Sequence, residues 1–309
     1  MANTTDKPKT GGAVQTTGHA WDGDIQEFNN PLPTWWIWAF YLTVAFAVIY
    51  WILYPAWPMG KGFTTGVSEV TFESGGKEVT THWNTRARLA HEMQASDEAQ
   101  RQREYLERVA SADFNTIFGD ADMMAFAQST AKGIFGDNCA PCHGSGGAGV
   151  TALFPNLADD DWLWGGSVDD IQTTIQHGRR GYMPPFKQTF NEQQLADVTD
   201  YVLGLSGHQV DPEAAKRGQA IFQGETGGCY YCHLTDGTGR KSQGAANLTD
   251  AIWTMIDMPG AADMDAKRRL VSGVISNGVT RIMPPWDGRL SPEQIKLLSV
   301  YVHELGGGQ

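Results

Sequence analysis

The residues with the clearest chemistry form two short motifs of the pattern C-x-x-C-H. They are Cys139, Cys142 and His143 in the first copy, and Cys229, Cys232 and His233 in the second. In c-type haem attachment, this pattern supplies two thiols for thioether bonds to the porphyrin and a histidine for its iron. The chain has four cysteines, and all of them belong to these motifs. The sequence therefore predicts two covalently bound haem c groups, with His143 and His233 as proximal ligands.

A Met-Pro-Pro stretch follows each motif and offers a sixth ligand to the iron. Met183 lies in YMPPF, and Met283 lies in IMPPW. A methionine thioether opposite the histidine raises the reduction potential. The two prolines stiffen the loop and remove backbone N–H groups that would otherwise need partners. The sequence leaves open whether each iron takes the methionine of its own copy or that of the other copy.

Other readings of these residues are weaker. A zinc site would need further Cys or His ligands at close spacing, and none follow either motif. His177 lies six residues before Met183 and is a less favoured alternative ligand. Indole and guanidinium groups are hydrogen-bond donors that suit haem propionates, although plain packing or solvated charge explains each one equally well. These side chains are Trp162, Trp164, Arg179, Arg180 and Arg281.

The two motifs belong to an internal repeat. Residues 175–186 align with 275–286 at an offset of 100, whereas the cysteines match at an offset of 90. The second copy therefore has about ten extra residues between its cysteines and its methionine. Helix-forming spacing and N-capping residues occur in both copies. The sequence predicts an all-α protein with two tandem domains of the class I cytochrome c type, at 119–207 and 208–309.

An apolar segment at residues 35–54 precedes the repeat. It has no charged residue, it is long enough to cross a bilayer, and aromatic residues crowd both ends. A cleaved signal peptide and a buried core helix are the less consistent alternatives. We therefore expect a transmembrane anchor at 31–57, after a flexible arm at 1–30 and before a partly helical connecting region at 58–118. Because haem c is attached outside the bacterial inner membrane, the arm is expected in the cytoplasm and the haem domains in the periplasm.

The net charge of −12 makes nucleic acid an unsuitable partner. An acidic surface can steer a basic protein partner, although solubility alone explains the same charge.

With these motifs in their order, the chain resembles the dihaem subunit III of cbb3-type cytochrome c oxidases. NNPLPTWWIWAFYLTVAF resembles the entry of that family into its membrane helix, and FPNLADDDWLWGG resembles the segment before its first methionine loop. Thr34 stands where a basic residue is expected in the family.

The resemblance implies a carrier that is not an enzyme on its own. It would pass electrons from a donor c-type cytochrome, or from a monohaem cytochrome c subunit, to a haem–copper catalytic subunit that reduces oxygen. The alternatives are a free-standing dihaem cytochrome that serves another membrane complex, a dihaem peroxidase, and a pure anchor or assembly role. A peroxidase needs an open iron position, which two Met-Pro-Pro loops argue against.

Overall fold

The computed structural model describes residues 15–306, which divide into two compact units between Gln100 and Arg101. The first unit contains three antiparallel hairpins and two helices. These are β1 (Thr16–Trp21), β2 (Ile25–Phe28), α1 (Thr34–Leu53), β3 (Pro58–Met59), β4 (Gly62–Phe63), β5 (Glu69–Ser74), β6 (Lys77–His82) and α2 (Thr85–Ala95). Helix α3 (Asp97–Ser111) begins in the first unit and ends in the second.

Helix α1 is the expected membrane segment. It begins directly after Pro33, and none of its side chains is buried within the chain. A helix that is apolar on every side is suited to lipid rather than to water. The returning chain covers its last turn, because Val67 N–H donates to the Ile52 carbonyl at 3.1 Å and Ser68 N–H donates to the Leu53 carbonyl at 3.0 Å. These bonds satisfy two carbonyls that would otherwise lack partners at the helix end.

The flanking regions contain more strand than the sequence indicated. The arm that was expected to be flexible forms the β1–β2 hairpin over its described part, and residues 1–14 lie outside the described residues. In the connecting region, β5 pairs with β6 from Glu69↔His82 to Ser74↔Lys77. Helices α2 and α3 confirm that this region is partly helical.

The second unit is mostly helical, as the sequence predicted. Its elements are α4 (Phe114–Gly119), α5 (Ala121–Asn138), α6 (Ala140–His143), α7 (Val168–His177), β7 (Arg179–Met183), α8 (Glu192–Leu205), α9 (Pro212–Gln223), α10 (Tyr230–His233), α11 (Met264–Asn277), β8 (Val279–Met283) and α12 (Pro292–His303), with a 3-10 turn at Lys241–Gln243. Both α8 and α12 begin with a capping box, at Asn191 and Ser291 respectively. This reciprocal pair of hydrogen bonds fixes the helix start.

Helix α8, from the first copy of the repeat, packs on helix α9 from the second. Six residues, 206–211, join them, and so short a connection favours antiparallel neighbours. The helices approach closely at Gly218, where a Cβ atom would lie 2.0 Å from the Asp197 carbonyl oxygen. Next to this contact the rings of Tyr201 and Phe222 lie 5.2 Å apart. Helix α8, the last helix of the first copy, thus packs on the helix that precedes the cysteines of the second copy.

Helix α12 makes the reciprocal contact with α5. The rings of Phe135 and Tyr301 lie 5.3 Å apart, which matches the Phe222–Tyr201 pair at offsets of 87 and 100. Ala131, fully buried, occupies the place that Gly218 has in α9. The two copies have therefore exchanged their closing helices, so the packing does not follow the boundaries 119–207 and 208–309 of the sequence repeat.

Two apolar cores result, and each draws on both copies. Core A comprises Phe135, Ile171, Ile175, Ile295, Leu298 and Val302. Core B comprises Phe190, Val198, Val202, Leu203, Phe222, Ile256, Met258, Val271 and Ile275. A third cluster joins α4 and α5 to Leu297 and Val300 of α12.

The strands before the two methionines pair with each other. Strand β7 is antiparallel to β8, from Arg179↔Met283 to Met183↔Val279, with Gly181↔Arg281 at the centre. The bonds beyond the ladder are also reciprocal: Phe186 N–H donates to the Ile275 carbonyl, and Trp286 N–H donates to the Ile175 carbonyl, both at 3.1 Å. The two copies are thus related by an approximate twofold axis through the ladder.

The packing of α8 on α9 predicts opposite effects on stability for alanine substitutions at two glycines. These glycines lie on α5 and α9, the helices that precede the two cysteine motifs. Gly218→Ala would force α8 away from α9 and lower the free energy of unfolding by about 1–3 kcal/mol, as for other overpacked sites. Gly133→Ala on α5 is the control, because it faces open space and should be neutral or stabilising by up to about 1 kcal/mol. Thermal unfolding of the full chain in detergent measures both. Equal stabilities of the two variants would contradict the packing of α8 on α9.

Candidate haem attachment sites

Each C-x-x-C-H motif lies on a single helical turn at the end of a longer helix or just after one. Cys139 follows α5 directly, and the His143 N–H donates to its carbonyl at 2.9 Å. In the second copy the His233 N–H donates to the Cys229 carbonyl at 2.9 Å. Residues three and four apart share one face of a helix, so both thiols and the imidazole lie on one side. All four thiols are free of disulfide bonds.

A backbone carbonyl orients each predicted proximal histidine. Nδ1 of His143 lies 3.0 Å from the Pro155 carbonyl oxygen, and Nδ1 of His233 lies 2.9 Å from that of Ala246. A carbonyl only accepts, so Nδ1 carries the proton and Nε2 keeps its lone pair for a metal. Burial lowers the pKa of both imidazoles, against the effect of the carbonyl bond. The neutral form that ligation needs is therefore favoured.

The predicted methionine ligands lie against the opposite copies. Met283 packs on core A, which also contacts Cys139. Met183 packs on core B, which also contacts Cys229. The loop after each histidine likewise lies against a leucine of the other copy. A Cβ atom on Gly147 would meet Leu305 at 2.8 Å, and one on Gly237 would meet Leu205 at 2.9 Å. Each cysteine motif thus packs on the same apolar core as the methionine of the other copy.

Two glycines let each methionine loop lie over a helix end of the other copy. Gly178 ends α7 with φ +69°, and a Cβ atom there would lie 2.4 Å from the Met283 carbonyl oxygen. Gly278 ends α11 with φ +68°, and a Cβ atom there would lie 2.5 Å from the Met183 carbonyl oxygen. Only glycine fits both the positive φ and the close approach.

The chemistry of these residues fits haem c. The thiols, the free Nε2 positions and the thioethers form two equivalent sets around apolar cores. Burial raises the pKa of Cys139 and of Cys229 to about 11, so both free thiols are protonated. Two buried donors without partners among residues 15–306, Trp253 Nε1 and Arg281 Nε, point to an acceptor such as a propionate.

Trp253 is the candidate that sequence reasoning missed. It packs on core B and corresponds to Trp162, which packs on core A, at an offset of 91. The carbonyl of Ala246 corresponds to that of Pro155 at the same offset, in the matched fragments ANL and PNL. Extending the repeat to this third offset would have found both positions.

The remaining sequence candidates lie outside the two sets. His177 is exposed at the end of α7, and Arg180 is exposed on β7. The Arg179 guanidinium stacks on Trp164 at 4.9 Å, and its Nε donates to Thr174 Oγ1 at 2.8 Å. Of the three arginines predicted as propionate partners, Arg281 alone has a buried donor that lacks an acceptor in the described part of the chain.

The mostly helical second unit, the cysteine–histidine turns and the apolar helix α1 together define a membrane-anchored c-type cytochrome that binds haem c covalently.

The chain belongs to the family of subunit III of cbb3-type cytochrome c oxidase. A family model of that description matches residues 126–202 and 213–302, and a model of the N-terminal domain of cytochrome oxidase-cbb3, FixP, matches residues 13–61. The chain is 41% identical to the cbb3-type cytochrome c oxidase subunit FixP of Azorhizobium caulinodans, over 96% of this chain and 95% of that protein. It is 37% identical to the subunit CcoP of Cereibacter sphaeroides, over 96% and 97%.

Proposed function

We propose that this chain is a dihaem electron-transfer subunit of a cbb3-type oxidase. It takes electrons from a donor c-type cytochrome, or from a monohaem cytochrome c subunit, and passes them to the haem–copper catalytic subunit. The observation that carries this proposal is the pair of equivalent cysteine–histidine turns, each packed on an apolar core that also contacts a methionine. The names of the relatives, which are oxidase subunits, support the assignment to that complex.

Each residue set has a definite task in this function. Cys139 and Cys142 hold one haem c, and Cys229 and Cys232 hold the other. A bound haem c supplies one-electron chemistry at iron. The carbonyls behind His143 and His233 keep both imidazoles in one orientation, and the apolar cores exclude water. Because the ligands are held in place and the surrounding core is apolar, the atoms around the iron rearrange less when an electron is transferred.

The ligand pairing in this proposal is crossed. His143 and Met283 bind one iron, and His233 and Met183 bind the other. The packing of each methionine on the core that also contacts the cysteine of the other copy supports this pairing over the local one. The ladder between β7 and β8 makes the two loops a single structure, so the haem sites are neighbours joined through a few backbone hydrogen bonds.

The same proposal gives the chain its place in the cell. Helix α1 anchors it in the bacterial inner membrane, the residues before α1 lie in the cytoplasm, and the haem sites lie in the periplasm, where haem c is attached. Helix α1 contains no histidine and therefore no ligand for an intramembrane haem or copper. Oxygen reduction then belongs to another subunit, and this chain acts as a carrier.

Purification in mild detergent through a tag on this chain tests the function. We expect copurification of a many-helix haem–copper subunit, with oxygen uptake driven by reduced cytochrome c. Oxygen uptake should fall at least tenfold when His143 or His233 is replaced by alanine, because the relay is broken. Isolation of the chain alone, with full oxidase activity in membranes that lack it, would instead support a free-standing cytochrome.

Haem content tests the number of groups. Haem staining after denaturing electrophoresis, with quantitation against protein, should give two haems per chain. Cys139→Ala with Cys142→Ala should leave one, as should Cys229→Ala with Cys232→Ala. Both haems should be six-coordinate and low-spin in both redox states. A five-coordinate haem with peroxide-dependent turnover would favour the peroxidase alternative.

The crossed pairing can be tested in those single-haem variants. With only the Cys139 site loaded, Met283→Leu should remove the sulfur-to-iron charge-transfer band and lower the reduction potential. Met183→Leu is the matched control and should change neither. With only the Cys229 site loaded, the two substitutions should exchange their effects. The reverse result in both backgrounds would establish local pairing.

A further inference from the structure

Arg281 occupies a position in the β7–β8 ladder at which the two halves of the repeat differ in side-chain charge. It lies at the centre of the β7–β8 ladder, opposite Gly181, which is its own counterpart at the offset of 100. An approximate twofold axis therefore places a guanidinium on one side and no side chain on the other. Whatever Arg281 binds, only one of the two haem sites has this group.

The contacts of Arg281 leave one donor unused. Its Nη2 donates to the Thr254 carbonyl at 3.0 Å, and the Ala152 N–H donates to the same oxygen at 3.2 Å. This carbonyl thus accepts two bonds already. Nε of Arg281 is buried and has no partner among residues 15–306.

Trp253, the residue next to Thr254, shows the same feature. Its Nε1 is the other buried side-chain nitrogen without a partner in the described chain. The indole packs on core B, together with Cys229 and Met183. The bond from Arg281 to Thr254 brings the guanidinium to the same segment of chain. Two donors without partners in the described chain thus belong to residues linked through Thr254, and one of these residues, Trp253, packs on core B.

Buried donors without acceptors are costly, at about 1–3 kcal/mol each, and native chains seldom leave two of them close together. Two other arginines of this unit pair with largely buried carboxylates, in Arg217–Asp197 and Arg268–Asp200. A haem c carries two carboxylates of its own. Two N–H donors, one of them cationic, suit one carboxylate.

We propose that Arg281 and Trp253 bind a propionate of the haem attached at Cys229, and so give the two haems unequal potentials. This inference rests on the dihaem function proposed above. The cation stabilises the reduced, less positive haem site and raises its potential. Arg179, the first residue of β7, already has a partner for its Nε, since it is bonded to Thr174 and its guanidinium stacks on Trp164. Electrons are therefore held preferentially at the Cys229 site.

A redox titration of the full chain in detergent tests this proposal. The spectral component of each haem is assigned first with the two single-haem variants, Cys139→Ala with Cys142→Ala and Cys229→Ala with Cys232→Ala. Arg281→Gln should lower the potential of the Cys229 haem and leave that of the Cys139 haem unchanged. Arg180→Gln is the matched control, since it removes the same charge from an exposed position on the same hairpin, and it should move both potentials much less.

Two further variants separate propionate binding from a structural role. Trp253→Phe keeps the ring and removes the N–H, so it should lower the same potential by a smaller amount. Arg281→Lys keeps the charge and should restore part of the loss. The double variant Arg281→Gln with Trp253→Phe should fall short of the sum of the single shifts, because both donors share one acceptor.

A shift of equal size for Arg281→Gln and Arg180→Gln would overturn the inference, as would a shift confined to the Cys139 haem. The dihaem function is judged separately, by the haem count of the same preparations. A wild-type chain with two haems and unchanged potentials in Arg281→Gln would reject the propionate site alone.

Discussion

The contact between α8 and α9 decides the arrangement of the second unit. Six residues connect these helices, so the chain cannot carry α8 far from α9 before it turns back. Gly218 then allows the two backbones to approach more closely than any side chain would permit. Once α8 lies on α9, helix α5, which precedes the first cysteine motif, is not covered by the last helix of its own copy. Helix α12 fills that place, and the exchange is complete.

The crossed cores bring two consequences together in one element. The β7–β8 ladder lies between the methionine loops, and each loop lies over a helix end of the other copy. Any displacement of one methionine loop is therefore transmitted through the ladder to the backbone near the other methionine. The ladder also carries a difference in charge between the halves, with Arg281 opposite Gly181. Symmetry of packing thus coexists with asymmetry of charge.

The sequence predicted what local pattern determines. The helices, their capping residues, the haem c signature and the repeat offsets are all written in short stretches, and the helical fold was confirmed. The partner of each closing helix was not predictable, because an apolar face at Val198 and Val202 shows that it is covered but not by which neighbour. The β1–β2 hairpin was missed because its side chains are exposed and lack an apolar alternation. In β5 the alternation is confined to Val70 and Phe72, which is too short to indicate a strand. Trp253 was missed because its repeat offset, 91, differs from the other two.

The exchange of closing helices also sets the order in which the protein can mature. Half of core A, namely Ile295, Leu298 and Val302, comes from α12 near the end of the chain. In the topology proposed above, the segment around Cys139 is exported long before these residues and stays open to solvent. Core B can form earlier, because α8 and α9 are adjacent in the chain. The first cysteine pair is thus accessible to attachment enzymes for longest, and its site becomes complete last.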